Sequence, residues 1–172
     1  MRPLFGVALE LGALTAVAYA ASVLAKWYPF SILAFLLAQV LTIVLVHCPA
    51  HYIVGRALGI RFSRMKLGRS TFARVLPPSL KRIGSLLVVV TLSVDPESRR
   101  STPPKRLRAM FLAGVTGSAG GAIILASAAS LAGNYADGLI TWLCAIAYLV
   151  SNVRFSPMAG DLKRARAVMA RA

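Results

Sequence analysis

The sequence predicts an all-α integral membrane protein with about four transmembrane helices and a short β-rich cytoplasmic insertion between the second and third. Three observations predict it. Hydrophobic residues fill 58% of the 172 positions and charged residues only 15%, a balance too apolar for an ordinary soluble domain. Four segments reach or approach the roughly 20 apolar residues that a helix needs to cross the hydrocarbon core. The cations are also unevenly placed: of 20 Lys and Arg, a dozen lie in one connection, 58–108.

The first helix is expected over about 4–24. Arg2, the apolar run and the "AYA" at 18–20 imitate a signal peptide, but Glu10 interrupts the run and favours a retained helix. The second helix is expected over about 30–57. The connection 58–108 follows, with "GIRFSRMKLGRS" (59–70) and the β-branched run "SLLVVVTLSV" (85–94) as strands separated by the breaker "LPPS" (76–79). "VDPESRRSTPPKR" (94–106) reads as a solvated loop. The third and fourth helices are expected over about 109–132 and 138–155, and a basic tail over 156–172. The small-residue run "AGVTGSAGGA" (113–122) suits close approach of the third helix to a neighbour. The chain thus reads as a single membrane domain, 1–172.

Orientation follows from the cations. Only Lys26 stands in the turn after the first helix and none in "GNYADG", whereas the tail holds Lys163, Arg164, Arg166 and Arg171. Positive residues are retained on the cytoplasmic side, so both termini and the 58–108 connection are expected in the cytoplasm of a multi-pass cell-membrane protein. The net charge of +15 is then a topology signal with some affinity for anionic lipid heads, and nucleic acid is not an expected partner. Cys48 and Cys144 lie in apolar stretches with no disulfide or C-x-x-C spacing.

Chemistry is expected around His47 and His51, the only histidines. Four residues apart on a helix, they share a face and can present two imidazoles to one metal ion. Ionisable groups inside a span are costly and usually mark function, although a pair hydrogen-bonded to neighbouring helices has the same spacing. At 1.5 Å per residue, His51 lies about 8 Å, His47 about 13 Å and Glu10 about 12 Å inside the cytoplasmic boundary. Glu10 is therefore level with His47, a candidate partner. Pro49 removes a backbone donor between the histidines and is expected to kink or loosen the helix. Beyond the fourth helix, Pro157 and Gly160 read as a turn. Asp161 reads either as the cap of a basic tail helix or as a third metal ligand.

These residues resemble the site-2 protease family of intramembrane zinc metalloproteases over about 30–165. "HYIVGRALGIRF" resembles the end of the family's H-E-x-x-H helix, "FLAGVTGSAGG" its small-residue helix and "NVRFSPMAGDL" its final motif, which supplies the third zinc ligand. The resemblance implies zinc held by His47, His51 and Asp161. An alignment on Pro157 and Gly160 would instead put Ala159 at the aspartate position. The family's general-base glutamate is Cys48 here, Pro49 follows it, and the small-residue motif lacks its asparagine. The chain is accordingly expected to bind metal, to be proteolytically inactive or altered, and to hold a membrane-embedded partner or substrate helix. Two alternatives stay open: a protease in which Glu10 is the substitute base, and a metal- or proton-conducting protein using His47, His51 and Glu10 as relay groups.

Overall fold

The computed structural model describes residues 1–26, 30–69, 88–131 and 135–170. In chain order these form α1 (Pro3–Leu24), α2 (Phe30–Ala57), β1 (Phe62–Arg69), β2 (Val88–Val94), α3 (Pro96–Ser101), α4 (Pro104–Leu131), α5 (Tyr135–Ala159) and α6 (Asp161–Met169). Four of them, α1, α2, α4 and α5, are long and apolar enough to cross a membrane. Their outward faces carry Leu4, Phe5, Leu9, Leu33, Leu37, Ile124, Leu139, Leu143 and Val150, all exposed. Their inward faces bury Ala38, Gln39, Ser118, Ala122, Ala126, Thr141 and Ala145. Large apolar groups outside and small or polar groups inside is the arrangement of a bundle solvated by lipid.

Helix α4 is the central element and packs against α2, α5 and α6. The small-residue run makes this possible. A Cβ at Gly114 would overlap the His51 ring, one at Gly117 would press on Ala50, and one at Gly121 would meet Thr42. Gln39 crosses the same seam, its Nε2 donating to the Ala122 carbonyl at 3.2 Å.

The end of α2 is a Schellman turn. Ile60 N–H donates to the Gly55 carbonyl at 2.8 Å and Gly59 N–H to the Arg56 carbonyl at 3.0 Å, with Gly59 at φ +82°, where a side chain would be strained. The turn buries Ile60 in a cluster with Leu107 and Met110, flanked by Phe62, Phe111 and Val168. It also aims the chain into β1, which pairs antiparallel with β2 from Phe62↔Val94 to Arg69↔Val88, with an irregularity between Phe62 and Arg64. Met65 N–H donates to the Met1 carbonyl at 3.2 Å, tying the two-stranded sheet to the start of α1.

Several elements differ from the sequence reading. "VDPESRRSTPPKR" is not a continuous loop. Asp95 caps α3, its carboxylate accepting from Ser98 N–H at 3.0 Å, and Pro96 occupies the first turn, a combination that starts helices. Helix α4 begins at Pro104 and not near 109, because Lys105, Arg106 and Arg108 are good helix formers that an apolar count leaves out. Helix α5 likewise runs from Tyr135 to Ala159. It therefore includes Asp137, a second buried carboxylate within a candidate span besides Glu10. Pro157 lies inside α5, and the break comes at Gly160. Helix α2 runs through Pro49 as one element, as the expected range 30–57 has it. Residues 85–87 of the second expected strand and the "LPPS" breaker fall outside the described residues.

Candidate metal centre

His47 and His51 stand one turn apart on α2, and α6 brings Asp161 to them from 110 residues further along the chain. Asp161 Oδ2 lies 2.9 Å from His47 Nε2 and 3.1 Å from His51 Nε2, and the two Nε2 atoms are 3.3 Å apart. Among the described residues this trio is a group of side chains that could hold a metal ion. Ligands at zinc bond lengths of about 2.0–2.1 Å in tetrahedral geometry stand about 3.3 Å apart, close to the three edges observed.

The other ring nitrogens decide what these edges mean. His51 Nδ1 is 2.7 Å from the Met110 carbonyl, which can only accept, so Nδ1 carries the proton. Ser118 Oγ donates its one proton to the Ile43 carbonyl at 2.8 Å, so at 3.2 Å it accepts from His47 Nδ1–H. In neutral imidazoles both Nε2 atoms therefore present lone pairs, and they present them to each other and to a carboxylate oxygen. Three acceptors facing one point need a cation there, either a proton or a metal ion. Donation of the outer ring N–H to a carbonyl or hydroxyl is also how metal-ligating histidines are commonly oriented.

Burial is graded around the cluster. The His51 and Asp161 side chains are 10% and 9% exposed, whereas His47 is 34% exposed, so the open side of the triangle lies towards His47. Burial alone would raise the Asp161 carboxyl. With a proton at the centre, the imidazolium's hydrogen bond and positive charge outweigh burial and hold the group well below the usual carboxylate range. Asp161 is thus available as an anionic ligand. It does not cap α6: Gly160 is the N-cap, without a side-chain cap bond, and the second carboxylate oxygen meets Arg164 at 3.4 Å.

Glu10 and Cys48 are not members of the cluster. Cys48 is buried and its thiol donates to the Val90 carbonyl of β2 at 3.1 Å, a direction consistent with the 100° step that separates neighbours on a helix. Glu10 is also buried, but neither carboxyl oxygen has a hydrogen-bond partner among the described residues, so the expected pairing with His47 is not formed. Asn152, in the final motif, donates to the Tyr148 carbonyl on its own helix at 3.2 Å and stays out of the site. Ser118 and the Met110 carbonyl escaped the sequence reading. A serine inside a small-residue run looks like packing, and a backbone acceptor has no sequence signature.

Ser118→Ala removes the acceptor that orients His47 without touching a ligand. Loss of such an outer partner commonly weakens metal binding about 10–100-fold. That drop is expected in a competition titration against a chelator, with helix content by circular dichroism unchanged.

Comparison with protein-family models, with curated proteins and with solved structures found no match to this chain.

Proposed function

We propose that the protein is a zinc-binding, site-2-protease-like membrane protein that does not cut peptides and instead holds a membrane-embedded partner helix. The observation behind the metal is the convergence of two Nε2 lone pairs and Asp161 Oδ2 within 3.3 Å. Two imidazoles and a carboxylate leave the fourth position of a catalytic-type zinc site open. A zinc ion so held lowers the pKa of its bound water and polarises carbonyl groups. What this chain lacks is a base beside the first histidine. Cys48 occupies that position and its thiol is committed to Val90.

The deciding experiment pairs metal analysis of the purified chain with a cleavage assay on a model membrane helix. Zinc without cleavage is the expected result. Iron in place of zinc would redirect the reading, since two histidines and one carboxylate also suit ferrous iron. A metal-free chain would remove its foundation.

A second reading has one observation in its favour. Glu10 is a buried carboxyl group with no hydrogen-bond partner among the described residues, a costly arrangement that a role as substitute base in an active protease would explain.

The proposed orientation has both termini and the 58–108 connection in the cytoplasm. Cysteine-accessibility mapping is expected to label positions in 58–108 only from the cytoplasmic side. Labelling of that connection from outside would reverse the topology.

A further inference from the structure

We propose that the groove between α4 and α6 is a binding site for the head group of an anionic phospholipid. The groove encloses about 370 Å³ and is lined by Arg108 and Leu112 of α4 and by Leu162, Ala165, Arg166 and Met169 of α6. It is separate from the histidine cluster and does not depend on a metal being bound there.

Arg108 of α4 and Arg166 of α6 both line this one cavity, and neither has an ion-pair partner among the described residues. Asp161 pairs with His47, His51 and Arg164 and with neither of these two arginines. Guanidinium groups match phosphate oxygens in bidentate fashion, so an anion with phosphate geometry supplies what the two side chains lack.

The rest of the lining selects the kind of phosphate. Leu112, Leu162, Ala165 and Met169 are apolar and none is fully exposed. A free phosphate ion gains nothing from them, whereas the glycerol and upper acyl carbons of a phospholipid cover them. The position agrees. Arg108 lies one turn inside α4, just after Lys105 and Arg106, where that helix passes into its apolar stretch. Helix α6 is amphipathic, burying Asp161 and Ala165 while Lys163, Arg164 and Arg166 stay exposed. A short basic amphipathic helix at the end of a bundle suits the plane of the lipid head groups, and basic pockets between helices at that level bind anionic heads.

The test uses the full chain in detergent micelles, titrated with phosphatidylglycerol or phosphatidylcholine and read by native mass spectrometry. Preferential retention of one phosphatidylglycerol is expected. Arg108→Gln/Arg166→Gln should weaken it about 30-fold, at roughly one Lys/Arg-sized contribution per charge removed. Arg99→Gln/Arg100→Gln, which removes two cations from α3, should leave it unchanged. Leu112→Trp fills the groove while keeping both arginines, and should also displace the lipid. Equal retention of the two lipids would overturn the proposal. An equal loss in the Arg99/Arg100 variant would do the same, by showing diffuse attraction, as would displacement by millimolar inorganic phosphate, by showing a free-anion site. Retention unaffected by Leu112→Trp would place the lipid elsewhere.

Discussion

In the His47→Ala/His51→Ala variant, bound zinc is expected to fall from about one ion per chain to background. The double change leaves Asp161 as a lone carboxylate, and one oxygen ligand cannot hold zinc against water. Each single variant keeps one imidazole and the carboxylate, and is expected to lose more than the roughly 100-fold that marks the upper range for outer-shell partners. Asp161→Asn keeps the shape and removes the charge, so it should fall with the single histidine variants. The same site joins α2 to α6 across 110 residues of sequence, so metal binding should also stabilise the fold. At a free zinc concentration a hundred times Kd, linkage contributes about 2.7 kcal/mol, and a chelator should lower the Tm accordingly. A wild-type chain that purifies without metal, and whose Tm ignores both zinc and chelator, would mean that a proton occupies the centre and the cluster is an imidazolium–carboxylate pair.

The residues of this centre were legible in the sequence to different degrees, and the differences have physical causes. The spacing of His47 and His51 is a local property of one helix, and helical geometry alone puts them on one face. Asp161 could be read two ways, because a helix-starting aspartate and a metal ligand look alike until tertiary structure shows where the carboxylate points. The apolar runs gave four long helices, but hydropathy reports where lipid begins and not where the backbone stops being helical. That is why an apolar count stops short of Pro104–Arg108 and Tyr135–Asp137, and why the Asp95–Pro96 start of α3 reads as a loop from sequence. The glycines at 114, 117 and 121 were legible as a packing seam. That the His51 ring lies over Gly114 was not, since it depends on the register of α2 against α4.

No cleavage of a membrane-helix substrate is expected from the wild-type chain, because a positioned general base contributes about 10²–10⁴ to rate and position 48 offers none. The structure adds a reason why repair should be incomplete. The Cys48 side chain is aimed at the Val90 carbonyl, so a carboxylate placed there by Cys48→Glu would meet another oxygen acceptor, in a helix that Pro49 deprives of a backbone donor. Weak cleavage at most is expected from that variant. The outcome with the most consequence is the opposite one. Glu10 is buried and its carboxyl oxygens have no hydrogen-bond partner among the described residues, so it is the candidate substitute for the glutamate that the site-2 protease resemblance would require. If the wild type does cleave, Glu10→Gln should lower the rate by the same 10²–10⁴ or so while the bound zinc stays in place. Cleavage that survives Glu10→Gln would exclude Glu10 as the base, and robust cleavage by the wild type would itself overturn the reading of an inactive relative.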